Sequence, residues 1–191
     1  MSKRVLLAGL LGGLALFVWE SVAHMALPLG EAGVRGFGEH EAPMLAAMKD
    51  HVKEPGFYFF PAPEDKPGMT KEQKAKSMAD AMNRMASEPT GIMIVYPQGR
   101  QVNFATALPI QLAGDLVVML IAAFLLSQAV VLKGYGARVL FVTLIGLIPT
   151  LQADMPQWTW YGFPDAYFGA QFLVHLVGFA VGGLVLARMV K

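Results

Sequence analysis

Among the polar side chains that interrupt the long apolar stretches of this chain, six are candidates for chemistry: Glu20, His24, Asp115, Gln152, Asp154 and His175. Carboxyls and imidazoles in such surroundings are costly, and they face a bundle interior or a cavity rather than lipid. Glu20 and His24 stand at i and i+4, on one face of a helix. A set made of Glu20, His24, Asp115, His175 and Gln152 has the chemistry to ligate a transition metal or to carry protons. A lone imidazole would also serve as an axial haem ligand, although His24 and His175 count to different depths. A cluster satisfied only by its own hydrogen bonds asks for less, so the expected cofactor is none, with a transition metal or haem as the alternatives.

Other candidates for chemistry are weaker. Glu39, His40, Glu41 and His51 flank an exposed amphipathic segment and read as solvated charge. The helical stripes Met44, Met48 and Met78, Met82, Met85 read as packing, since methionine fills gaps in cores. The chain holds no cysteine, which removes disulfides, thiolate metal sites and cysteine nucleophiles. It also lacks a Walker A loop, a GxGxxG, an HExxH and a GxSxG. An enzyme is therefore not the expected reading.

The elements that must position these groups follow from composition. Of the 191 residues 55% are hydrophobic and 15% charged, against about 25% charged in ordinary soluble domains. The charges concentrate between residues 29 and 107, which hold 9 of the 15 Lys and Arg and 10 of the 14 Asp and Glu. A span needs about 20 apolar residues, and four stretches qualify: 5–27, 107–132, 138–156 and 166–189. The third is short and carries Pro149, which predicts a kink and an extension towards Trp158. The N-terminal stretch resembles a signal peptide in its basic start, but Glu20 to Met25 offers no small-x-small cleavage site, so it is read as a retained span.

Orientation follows from the positive-inside rule. Lys3, Arg4, Lys133, Arg138, Arg188 and Lys191 fall on one side, whereas the short connection from Asp154 to Asp165 carries two acids and no base. Both termini are expected in the cytoplasm of a bacterial-type inner membrane, with residues 28–106 outside. Trp158, Trp160, Tyr161 and Tyr167 crowd the outer connection as interfacial anchors.

Within 28–106 the pattern predicts a helix over 41–53, a strand over 56–60, a helix capped by Thr70 running to about Ser87, a strand over 91–96, and a turn at Pro97-Gln98-Gly99 into a third strand over 100–104. Strand, helix, strand implies a right-handed parallel crossover. The expected fold class is thus a membrane all-α four-helix bundle with a small extracytoplasmic α/β cap lying on the outer helix ends.

Small residues give the packing. Gly9 and Gly13 in the first span, and Gly178 and Gly182 in the last, make GxxxG pairs that predict a close approach of these two helices. Net charge is +1, with no basic surface for nucleic acid. The expected function is a non-enzymatic binding or accessory-subunit role, its partners the lipid bilayer and a larger membrane complex or a second copy. A metal- or haem-binding redox sensor and a proton-coupled carrier are the alternatives.

Overall fold

A computed structural model of the chain describes residues 1–190, so Lys191, one of the six basic residues that set the expected orientation, lies outside the described part. The chain is mostly helical and has four helices long and apolar enough to cross a membrane: Lys3–Met25, Phe104–Gln128, Tyr135–Tyr161 and Asp165–Met189. It divides into two compact units, one made of Met1–Val34 with Val102–Lys191 and the other of Arg35–Gln101.

The helical unit starts with α1 (Lys3–Met25), whose N-cap Ser2 accepts from the Val5 N–H at 3.3 Å. Helix α4 (Phe104–Gln128) begins three residues earlier than its apolar run suggests, because Asn103 caps it by accepting from the Ala105 N–H at 3.0 Å. The third span is not one regular helix. It consists of α5 (Tyr135–Ile145), a short turn α6 (Leu147–Pro149), a π-helical turn over Thr150–Asp154, and α7 (Met155–Tyr161). Gly146 and Pro149 mark the irregular stretch; proline has no N–H to give to the ladder, and a widened turn follows it. The last helix is α8 (Asp165–Met189). Trp158, Trp160 and Tyr161 therefore belong to the end of the third helix, not to the connection, which shortens to Gly162–Pro164 with Gly162 in the left-handed region at φ 67°.

Helix α1 packs against both α4 and α8, and α8 also packs against α5. The glycines set the closeness. A Cβ built on Gly9 would lie 2.8 Å from Cα of Leu120, and one on Gly13 would lie 2.6 Å from Cα of Leu116, so backbone meets backbone between α1 and α4. Gly12 instead faces Leu186 and the carbonyl of Gly182 on α8. This corrects the expected pairing: Gly9 and Gly13 receive α4, and the approach of first and last helices runs through Gly12, Gly178 and Gly182. Positions 9 and 13 share one stripe, whereas position 12 is turned about 100° from position 13. Between α5 and α8, Tyr135 donates to the Leu184 carbonyl at 3.0 Å and Arg138 to the Ala187 carbonyl at 3.3 Å. The core here is Ala8, Leu16, Met119, Ala123, Val142 and Leu186.

In the other unit, α2 (Glu41–His51) and α3 (Lys71–Met85) accompany a two-stranded sheet of β1 (Gly56–Phe60) and β2 (Gly91–Val95). Thr70 and Gln73 close a capping box at the start of α3, with bonds of 2.8 and 3.2 Å. The strands pair antiparallel, Phe57 opposite Ile94 and Phe59 opposite Ile92. The expected parallel crossover is therefore wrong. A crossover requires the intervening helix to lie on the sheet, but α3 holds instead to the loop before it: Ser77 Oγ accepts from the Glu64 N–H at 2.6 Å and donates to the Glu64 carbonyl at 3.1 Å. The expected third strand is also absent; the chain turns at Gly99, whose N–H reaches the Tyr96 carbonyl at 2.8 Å, and runs as coil to Asn103.

The glycine geometry predicts a graded response. Gly13→Ala places its methyl on α4 backbone and should cost about 1 to 3 kcal/mol, the usual range for overpacking. Gly182→Ala meets the end of the Met119 side chain, 2.6 Å away at Cε, with the nearest backbone, the Gly12 carbonyl, at 3.7 Å, and should cost less. Gly36→Ala meets nothing within 4 Å and should stay within about 0.5 kcal/mol of the parent. Thermal unfolding of the three variants in detergent checks the order.

Candidate functional site

The buried polar groups of the helical unit gather at the end where α1 finishes and α4 and α8 begin. The antiparallel register, with Gly13 on Leu116 and Gly12 on Gly182, sets His175 and Gln111 within about a turn of Glu20 and Asp115 more than a turn further into the bundle. Gln111 and Asp115 are at i and i+4 on α4 and share a face.

One side chain joins the two carboxyls. Gln111 Nε2 donates to Glu20 Oε2 at 2.8 Å and to Asp115 Oδ1 at 2.9 Å. A primary amide carries two N–H donors; one crosses the α1–α4 seam to Glu20 and the other stays on α4, four residues along at Asp115. Asp115 is 4% exposed, and its Oδ2 has no partner among the described residues. His24 does not bond a carboxyl. Its Nδ1 lies 2.9 Å from the Glu20 carbonyl, and since a carbonyl only accepts, the proton sits on Nδ1 and Nε2 presents its lone pair.

His175 forms a second group with residues of the π-helical turn. Its Nδ1 is 3.1 Å from Thr150 Oγ1 and 3.1 Å from Asp154 Oδ2. The Thr150 contact is a hydrogen bond whose direction depends on the imidazole tautomer. Asp154 Oδ2 is close enough to attract a charged ring but lies off the hydrogen-bonding direction, and it finds no aligned donor. Thr150 and Asp154 are both buried.

The structure thus brings Glu20 to Asp115 through Gln111, sets His24 beside Glu20 on α1, and gives His175 to Thr150 and Asp154. Gln152 joins neither group and is exposed. Gln111 and Thr150 were not among the expected site residues. The signal for Gln111 was its place four residues before Asp115 in an otherwise apolar segment; for Thr150 it was the position after Pro149.

A cleft of about 440 Å³ lies between α1, α4 and α8. Glu20, His24, Gln111, Gln171 and His175 supply its polar wall, and Phe17, Leu108 and Phe104 part of the apolar one. Beside this end, Trp158 Nε1 donates to Asp165 Oδ1 at 2.7 Å and stacks on Phe168 at 5.3 Å, while Phe163 and Tyr167 meet at 5.1 Å. Trp160, 79% exposed, and the exposed Tyr161 carry no such tie. Gly33 packs on the hairpin: a Cβ there would touch Pro164 and Tyr167 at 3.0 Å.

In the other unit a hollow of about 500 Å³ runs along α3, and part of its charge is already paired, Glu64 with Lys66 and Arg84 with Glu88. Lys66 pairs with Glu64 at 2.8 Å, and this hydrogen bond holds the Glu64 carboxyl below its ordinary range. Both side chains are largely exposed, so the pair is a solvated one of small energetic weight. Glu39, His40 and His51 are exposed as well. Among the described residues, no three His, Asp or Glu side chains assemble as a metal ligand set. No protein family matches the chain, and neither a curated protein nor a solved structure does.

The amide bridge predicts coupling. Gln111→Leu strips donors from two carboxyls and should destabilise the protein by about 1 to 3 kcal/mol, the cost of leaving a buried acceptor unpaired. Asp115→Leu added to it should cost less than the two single changes summed. Gln152→Leu should change stability by under about 0.5 kcal/mol. Unfolding of the four variants in detergent measures the cycle.

Proposed function

We propose that this chain is a polytopic protein of a bacterial-type inner membrane with a non-enzymatic binding or accessory role, in which residues 35–101 and the aromatic hairpin of α7 and α8 are contact surfaces for a larger membrane complex or a second copy. The observation that carries this reading is the poor self-burial of Arg35–Gln101. Its buried residues are Pro61, Ala81 and Val95, whereas Phe57 is 61% and Ile94 67% exposed. These two face each other across the strands, with exposed Phe59 on the same side of the sheet. A two-stranded sheet is marginal on its own, and an apolar face of this kind marks an interaction surface.

Orientation rests on charge. Lys3, Arg4, Lys133, Arg138 and Arg188 belong to one end of the helices, and the segments 19–34, 102–116 and 149–176 at the other end contain no Lys or Arg. Both termini are accordingly cytoplasmic, and residues 35–101 are extracytoplasmic.

Two measurements test this. Reporter fusions after Lys191 and within 133–138 should read cytoplasmic, and fusions at Gly68 extracytoplasmic; a cytoplasmic reading at Gly68 overturns the topology. A photo-crosslinking residue at Ile94 or Trp160 should give discrete higher-mass adducts in native membranes, whereas one at Lys53 should not. Adducts at neither Ile94 nor Trp160 would remove the contact-surface role.

A further inference from the structure

The cleft between α1, α4 and α8 is matched to a particular ligand chemistry. Its volume of about 440 Å³ lies within the range of about 300 to 1,000 Å³ typical of small-molecule sites, and it has the usual make-up of an apolar wall with a few polar groups. On the α1 and α4 side these groups, Glu20, Gln111 and His24, offer acceptors, while Gln171 and His175 line the α8 side. Gln111 has spent both N–H groups on Glu20 Oε2 and Asp115 Oδ1, which leaves its own carbonyl oxygen free. Glu20 engages through Oε2 only, which leaves Oε1. His24 directs Nδ1–H to the Glu20 carbonyl, so that in the neutral ring Nε2 is the acceptor.

Charge points the same way. The three segments that build this end of the helical unit, residues 19–34, 102–116 and 149–176, carry Glu20, Glu31, Asp115, Asp154 and Asp165 and no Lys or Arg. An anion would find five carboxyls and no Lys or Arg. A metal ion would find Glu20, His24 and His175 around the cleft, but among the described residues these do not assemble as a set of three ligands. A primary ammonium brings one positive charge and three N–H donors to three vacant acceptors. The apolar wall, Phe17 and Leu108 with Phe104 nearer the mouth, fits an aromatic or aliphatic body on the same molecule, and aromatic rings also favour a cation nearby.

We propose that this cleft binds a primary organic amine with an apolar body, its ammonium held by Glu20, Gln111 and His24 and its body along Phe17, Leu108 and Phe104. The site is independent of any partner of residues 35–101.

The test uses the full chain in phosphatidylcholine nanodiscs, titrated calorimetrically with 2-phenylethylamine and octylamine against empty nanodiscs. At least one amine should bind saturably at one site per chain. Its alcohol counterpart should not, and its N-trimethyl derivative, which has no N–H, should bind at least tenfold more weakly. Glu20→Gln should weaken the amine at least tenfold. Leu108→Trp, at a position 49% exposed, fills the cleft without touching the acceptors and should abolish binding with the unfolding temperature unchanged; it decides the matter if Glu20→Gln does not fold. The proposal is overturned by equal binding of amine and alcohol, by parent-like binding in Leu108→Trp, or by no saturable binding of either amine. Stoichiometric Zn²⁺ binding that depends on Glu20, in place of amine binding, would likewise overturn it in favour of a metal site.

Discussion

Carboxyl groups in an apolar helix bundle have to find hydrogen-bond donors within the protein, because lipid provides none, and the helical unit is arranged around this constraint. Its polar end holds no lysine or arginine to answer Glu20 and Asp115. The donor is the amide of Gln111, whose two N–H groups reach one carboxyl on each of two helices. That geometry demands that α1 and α4 lie close, and it is the α1 glycines that allow it. The Asp115 carbonyl lies 3.0 Å from where a Cβ of Gly13 would be, so the close seam and the carboxyl bridge occupy neighbouring turns of the same interface.

Three glycines in α1 serve two neighbours, and this division gives α1 its central position. Gly9 and Gly13 admit the backbone of α4, while Gly12 admits α8. About two turns further on, Trp19 Nε1 donates to the Val174 carbonyl at 2.9 Å, which replaces close backbone contact by a long side chain between α1 and α8. The helices are therefore pressed together where the residues are small and held apart where they are large. The cleft opens at the second of these places, and its mouth is formed by the last residue of α1, Met25, and the first of α4, Phe104, both well exposed.

The four long helices were legible in the sequence because a continuous apolar run and the length of a span leave little choice; their ends shifted by a few residues where caps such as Asn103 decided. Asp115 and Asp154 are buried as their placement in apolar runs leads one to expect, whereas His24 is exposed. Their partners were not legible, since hydropathy treats Gln111 as a mild interruption and says nothing of which helix it reaches. The direction of the sheet was misread for a related reason. Strand, helix and strand in order imply a crossover only if the helix packs on the sheet, and that depends on Ser77 and Glu64 fixing α3 to its own leading loop, a local bond invisible to periodicity. The partner of the GxxxG stripe was equally undetermined, because small residues specify closeness and not identity.

The third span shows why irregular backbone and buried polarity occur together here. In a regular helix the residue at 149 would give its N–H to the turn before, and proline cannot. The widened turn that follows carries Thr150 and Asp154 to His175 on α8, so the polar groups nearest the break are used between helices. Backbone irregularity at membrane depth is tolerated where protein covers it, and Thr150 and Asp154 are indeed buried while Leu151 and Gln152 between them are exposed. Beyond the break, α7 continues to Tyr161 and ends at Gly162, and the tie from Trp158 to Asp165 closes the hairpin on α8. The break and the hairpin thus hold the same helix from two points, at His175 where it meets the cleft and at Asp165 in its first turn.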